Sequence, residues 1–435
     1  MRLLPLTFLV LTAMGTLILL LPFASSGKGS ASLPAAIFTS TSAVTVTGLT
    51  TVDTSAYWSP AGQAVILVLA EIGGLGIVAL ATVLGLFVGG RLGLRTSLVA
   101  QTEMHVVSLG EVRPLFRRVA VTMAFFQVLI AAVLTVRYRT TYYDDLGTSL
   151  WHAVFDAVMS FNNAGFSLNS DSLVGYAGDA IVLVTFSVGV FVGAMGFPVL
   201  AELFQGWRRP SQWTIHTRLT VWGSVLLLVL AALLFLIYEW NNTATVGPLS
   251  FQGKLVSGLE ASTMTRSGGL NSFDWGSVQP ETLNIATVLM FIGAGSASTA
   301  GGIKITTFLL LGFVILAELR GDPEVTVGRR SISAAVIRTA LTIALLAVML
   351  VVGATFAVMS MTGFAFSEVL FECTSAFGTV GLSTGLTSQL PVSAQMTVAL
   401  LMFVGRVGTI TAASAFVLRR RTMRYHLPEE QPIIG

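Results

Sequence analysis

Apolar residues gather into runs near 3–23, 61–89, 119–136, 180–204, 219–238, 284–319, 340–361 and 394–418. Each run is about 18 residues or longer, the length at which an α-helix can cross the ~30 Å hydrocarbon core of a bilayer. Between the members of each successive pair lies a moderately apolar stretch of about 12 residues, then a short polar segment containing glycine. A helix of that length rises only about 18 Å and can enter a membrane without crossing it. The pattern predicts eight transmembrane helices and four re-entrant ones.

The polar segments align with one another. They read "FTSTSAVTVTGLT" (38–50), "FDAVMSFNNAGFS" (155–167), "LEASTMTRSGGLN" (259–271) and "FECTSAFGTVGLS" (371–383). Superposed on Gly48, Gly165, Gly269 and Gly381, each has Phe or Leu ten residues before the glycine and Leu or Phe directly after it. A small polar residue follows: Thr50, Ser167, Asn271 or Ser383. The following apolar runs carry a second set of glycines, Gly73, Gly193, Gly293 and Gly405. The unit is therefore span, half-helix, glycine segment, span. Two crossings return the chain to its starting side, so all four units share one orientation, as in a ring about an axis along the membrane normal. Inverted repeats need an odd number of crossings per unit.

The fold expected is an all-α polytopic membrane protein: four such units in pseudo-fourfold array around one central pore. The boundaries read as 1–90, 119–206, 219–320 and 340–419 for the units. The linkers are 91–118, 207–218 and 321–339, and the tail is 420–435. Residues 1–26 have signal-peptide-like features, but the run is long enough to span and the repeat requires it, so it is read as an uncleaved first helix.

Composition agrees with this class. Of 435 residues, 54% are hydrophobic and 10% charged, against about 25% charged in soluble domains. Of the 24 Lys and Arg residues, 17 fall in the short N-terminus and the segments that follow the second, fourth, sixth and eighth apolar runs, among them Arg91, Arg95, Arg113, Arg117 and Arg118. The positive-inside rule then places both termini in the cytoplasm. One cysteine, Cys373, rules out a disulfide framework. The four histidines lack the spacing of a metal site. An intramembrane protease would need a catalytic pair or an HExxH motif within the spans, and no such motif is present.

Non-helical backbone at membrane depth is tolerated only where it is buried or lines water. Four extended segments around one axis would offer backbone carbonyls to a dehydrated alkali cation, with glycine permitting the unusual angles this needs. Each half-helix would aim its partly negative C-terminus inward. The segments that would line such a filter are Thr45, Val46, Thr47 and Gly48; Asn162, Asn163, Ala164 and Gly165; Arg266, Ser267, Gly268 and Gly269; and Gly378, Thr379, Val380 and Gly381. The second set of glycines fits helix packing or a hinge. Asp156, Glu260 and Glu372 stand nine residues before their glycines and read as scaffold, tied to backbone N–H groups or a base such as Arg266. Glu71 lies in the second span and is expected to pair with another repeat. Outer aspartates, Asp53, Asp144, Asp145, Asp171, Asp179 and Asp274, would either concentrate cations or be plain loop charge.

These segments and the eight spans resemble the Trk/Ktr/HKT family of potassium transport proteins over nearly the whole chain. The resemblance is closest to the Ktr type, the KtrB-like membrane subunit, because Trk-type subunits carry an additional pair of N-terminal helices. It implies a homodimer in the bacterial cell membrane, one pore per subunit, with a cytoplasmic ring of RCK (KtrA-like) subunits that bind ATP or ADP. Potassium is the implied cargo. Some plant relatives with Ser at the first glycine position favour sodium, whereas all four positions here are Gly. A sodium or ammonium pathway of the same fold is the alternative, and no nucleic-acid partner is expected.

Two anomalies sit near mid-membrane. The span 284–319 is interrupted by Gly293, Ala294, Gly295, Ser296, Ala297, Ser298, Thr299, Ala300, Gly301 and Gly302, followed by Lys304. Such a composition does not hold a helix. The resemblance implies a gating loop here; a kinked packing site is the plainer reading. Arg406 in "FVGRVGTIT" costs about 2.5–3.5 kcal/mol at a helix centre and must face water or a partner. It is read as touching the 293–304 loop and forming part of the barrier, or else as bonding helix-end carbonyls.

Overall fold

The computed structural model describes residues 3–27, 29–75, 112–328 and 330–418. The second half of the predicted span 61–89, Arg91 and Arg95 of the first linker, and the tail lie outside them. The helices in chain order begin with α1 (Leu3–Leu19), α2 (Leu33–Thr45), the one-turn α3 (Thr54–Tyr57), α4 (Pro60–Gly74) and α5 (Val112–Thr141). Next come α6 (Leu146–Asn162), α7 (Ala180–Met195), α8 (Phe197–Gly206), α9 (Ile215–Glu239) and α10 (Phe251–Met264). The remainder are α11 (Pro280–Phe291), α12 (Ile305–Arg320), α13 (Ala334–Met361), α14 (Phe366–Gly378) and α15 (Val392–Leu418).

Three helices, Arg117–Thr141 of α5, α9 and α13, are each long and apolar enough to cross a membrane alone. Their outer faces carry exposed apolar side chains such as Val128, Leu226 and Met349, which only lipid or a partner chain can cover. The polarity is inverted in the short helices. In α2 everything from Phe38 to Thr45 is buried, hydroxyls included. Two of those hydroxyls turn back on the helix, Thr41 and Thr45 donating to the carbonyls of Ile37 and Thr41 at 2.7 Å, while Ser40 Oγ donates to the Thr12 carbonyl of α1 at 2.8 Å.

Packing follows a cyclic order. The second helix of each successive group leans on the short helix of the next: α4 on α6, α7 on α10, α11 on α14, and α15 back on α2. Glycine permits the close approach. An added Cβ at Gly73, Gly193 or Gly405 would fall on the carbonyls of Val44, Phe161 and Phe377, each four residues before its loop glycine. The packing reading of this second glycine set therefore describes three of its members. Gly293 instead faces the carbonyl of Gly301.

One expectation needs correction. The run 180–204 is not one helix: α7 and α8 meet at 101°. Gly196 at φ 92° makes the corner, and a proline in the first turn of α8 suits a helix start rather than a continuation. Within the linker 321–339, Thr326–Val327 pairs antiparallel with Arg330–Ser331.

Candidate functional site

The four short helices α2, α6, α10 and α14 end where the aligned glycine segments begin. Three of them end alike. Val46, Asn163 and Thr379 adopt the left-handed conformation, with φ 58°, 60° and 48°. The next residue donates five positions back, as in Thr47 N–H to Ser42, Ala164 to Met159 and Val380 to Ser375, all at 2.8 Å. This is the Schellman arrangement, in which a left-handed residue lets the last carbonyls of a helix be capped. A non-glycine residue in that region costs about 1–2 kcal/mol. The third segment lacks the motif, but Ser267 still has φ 91°. Two residues later every segment returns to positive φ at glycine: 90° at Gly48, 67° at Gly165, 72° at Gly269 and 97° at Gly381. Backbone that alternates between left- and right-handed residues turns successive carbonyls the same way, which an ordinary strand does not.

The glycines converge. An added Cβ at Gly48 would lie 2.6 Å from the Gly165 Cα, and one at Gly165 would lie 3.0 Å from the Gly269 Cα. A Cβ added at Gly269 would lie 3.2 Å from the Gly381 Cα, and one added at Gly381 would lie 3.2 Å from the carbonyl carbon of Thr47. The segments thus meet in chain order and close. Serines brace the ring: Gly48 N–H donates to Ser42 Oγ at 3.0 Å and Gly381 N–H to Ser375 Oγ at 3.1 Å. Ser267 Oγ donates across to the Thr379 carbonyl at 2.7 Å. On one side a cavity of about 360 Å³ opens, lined by the four glycines and by Thr50, Ser167, Asn271 and Ser383.

The carboxylates behind the ring act as struts. Glu372 accepts from Ser383 Oγ and Thr384 N–H, both at 2.8 Å, and Glu260 from Ser272 Oγ at 2.7 Å. Asp156 accepts from Tyr138 OH at 2.7 Å. Arg266, predicted as a possible partner for these acids, does not serve them. Its guanidinium donates to the carbonyl and hydroxyl of Ser224 on α9 at 3.1 Å. A buried cation needs partners wherever its side chain comes to rest, and the α9 backbone supplies them. Glu71 accepts from Asn162 at 2.6 Å and Gln127 at 2.8 Å, so its partners come from α6 and α5. Among the outer aspartates, Asp145 and Asp179 cap α6 and α7, while Asp53 and Asp274 also line the cavity.

On the other side of the ring runs the segment from Ile292 to Lys304. It folds back so that Ile292 and Ile303 bridge in parallel, with Gly293 N–H donating to Ile303 at 2.8 Å. An added Cβ at Gly301 would lie 2.9 Å from Thr379 Cγ2 and 3.1 Å from the Gly378 carbonyl oxygen, so this loop lies directly against the fourth segment. Thr299 Oγ1 donates to Asn163 Oδ1 at 3.0 Å, which ties it to the second segment. Arg406 donates to the Thr299 carbonyl and, at 2.9 Å, to the Gly73 carbonyl. Both sequence readings of Arg406, contact with the loop and bonding to a helix-end carbonyl, describe part of its surroundings. Lys304 Nζ folds onto the Ala300 carbonyl at 2.7 Å.

Residues 5–423 match the family described as TrkH, cation transport protein. This chain belongs to that family. Within it, the chain is 35% identical over 409 residues to the Ktr system potassium uptake protein B of Bacillus subtilis (strain 168), covering 94% of this chain and 91% of that one. It is 33% identical to the protein of the same name from Vibrio alginolyticus, covering 100% and 94%. It is 32% identical to the potassium/sodium uptake protein NtpJ of Enterococcus hirae, covering 98% and 95%. In three dimensions it resembles the crystal structure of the potassium transporter TrkH from Vibrio parahaemolyticus, with a TM-score of 0.73 at 19% identity over 96% of this chain and 84% of that one.

The reading of the sequence missed the second positive-φ position in each segment. Val46, Asn163, Ser267 and Thr379 are four of the six non-glycine residues with positive φ among the described residues. The recurrence of glycine two residues later was the available signal, since one reversed residue in an alternating backbone implies another. The bend at Gly196 was signalled by "GFP" after an apolar run.

Proposed function

We propose that this chain is the potassium-translocating membrane subunit of a Ktr-type uptake system. Its four units of span, half-helix, glycine segment and span (M1-P-M2), with the boundaries given above, surround one pore, and potassium passes a filter of backbone carbonyls from the four glycine segments. The 293–304 loop and Arg406 form the barrier on the cytoplasmic side of the filter. Two copies assemble, each with its own pore, on a cytoplasmic RCK ring that binds ATP or ADP, and both termini face the cytoplasm. The reading rests above all on the ring of Gly48, Gly165, Gly269 and Gly381, each with positive φ and each pressed against the next segment. Neutral oxygens on alternating backbone suit an alkali cation, and the relatives named for potassium uptake point the same way.

The deciding experiment is rubidium-tracer flux into liposomes holding the purified chain, with potassium, sodium or ammonium as competitor. Potassium-competed flux supports the reading. Flux competed equally by sodium would favour the alternative carried by the relative named for both ions. No flux of any alkali cation, with or without the regulatory ring, would defeat it.

A further inference from the structure

Two helices are broken beside the same point, and their breaks face each other. At the first, α7 stops at Met195 and α8 starts at Phe197. This frees the last carbonyls of α7 and the first N–H groups of α8. At the second, the loop after α11 carries its own free backbone groups. In a setting without water each such group needs a partner.

The two breaks supply one another. Gly295 N–H donates to the Ala194 carbonyl at 2.9 Å and Thr299 N–H to the Gly193 carbonyl at 3.4 Å. In the opposite sense, Phe197 N–H donates to the Ala297 carbonyl at 3.2 Å. Side chains add to this contact. Ala194 of the corner forms one small buried cluster with Ala294 and Ala300 of the loop. Glycine at the corner is required twice over: its φ is 92°, and a Cβ there would strike the Ser296 carbonyl oxygen.

From this geometry we infer that the corner at Gly196 and the 293–304 loop are a single two-part gate. The loop cannot withdraw from beneath the ring while residues 193–197 keep their present form, because both sides would be left with unpaired backbone groups. Withdrawal is therefore accompanied by rearrangement of the α7–α8 corner: Phe197 N–H can turn to the Gly193 carbonyl four residues back, whereas Pro198 has no N–H to offer the Ala194 carbonyl, which must find a new partner. The inference deepens the gate reading above and depends on it.

The test is a reversible tether. Ala194→Cys and Ala300→Cys are combined, and rubidium flux is measured in liposomes after oxidation and again after reduction, with cross-linking verified by mass spectrometry. Oxidation is expected to stop flux and reduction to restore it, with each single-cysteine variant insensitive to the oxidant. Full flux through the verified cross-linked protein would overturn the inference and leave the pore reading intact. A pair that never cross-links would refute the juxtaposition. Absence of flux in the untreated wild-type chain would instead defeat the pore reading itself. Gly196→Ala supplies an independent arm: if it folds, as judged by its melting profile, strain at the corner should raise flux without the regulatory ring by roughly fivefold or more. Unchanged flux in the folded variant would count against the coupled gate.

Discussion

Gly381 closes onto Thr47: a Cβ added to the glycine would lie 3.2 Å from the threonine's carbonyl carbon, more than 330 residues away in sequence. That contact joins the last glycine segment to the first, and the whole proposal depends on a ring that has no gap.

Any side chain at these glycines is therefore expected to break the ring. Gly48→Ser would place a Cβ 2.6 Å from the Gly165 Cα while holding serine at φ 90°. The backbone cost alone is about 1–3 kcal/mol. Discrimination between rubidium and sodium in tracer flux should fall at least severalfold. A variant with wild-type discrimination would remove Gly48 from the filter.

Glu372 should behave as a strut. It accepts from Ser383 and from Thr384, the residues leaving the ring, and from Thr387. Glu372→Gln keeps the shape but replaces an acceptor oxygen by a donor, leaving a buried mismatch that costs about 1–3 kcal/mol. Thermal unfolding in detergent should show a clear drop in midpoint, and flux should be lost with stability rather than before it.

Arg406 offers a sharper case. Removing it as Arg406→Ala deletes the contacts to Thr299 and Gly73 and takes a positive charge from the proposed path. Flux without the regulatory ring should rise about fivefold or more. If flux and its response to the ring are both unchanged, the arginine is only a helix-end cap.

Acid stability should report on Asp179. Burial pushes its carboxyl up, but hydrogen bonds from Arg137 and Tyr142 outweigh this and hold it below the usual carboxylate range. A group depressed in the folded state stabilises the protein above its unfolded value, near 3.9, and the gain is lost as pH falls through the folded value. Asp179→Asn should lower the melting temperature at neutral pH and flatten its decline below about pH 4. A decline as steep as in the wild type would assign acid sensitivity to other carboxylates.

Much of this protein could be read without its structure because the same solution is written four times. Phe38, Phe155, Leu259 and Phe371 keep step with their glycines, and in a membrane the length of an apolar run limits what it can form. Partner choice was less legible. Arg266 could have met Glu260 by sequence distance, yet α9 presents Ser224 to it. Glu71 could have paired with any repeat, and packing of α4 on α6 selected Asn162. The break at Gly196 was lost inside an apolar run, because hydropathy counts residues and is blind to direction.

The sequence by itself marked the four repeated short helices and the glycines at which the backbone reverses. Only the tertiary structure decided which segments touch, in what cyclic order, and that two broken helices share one set of hydrogen bonds. The reason is physical: local conformation follows from each residue's own sterics and from the solvent around it, whereas a contact between residues hundreds of positions apart depends on how every intervening helix packs.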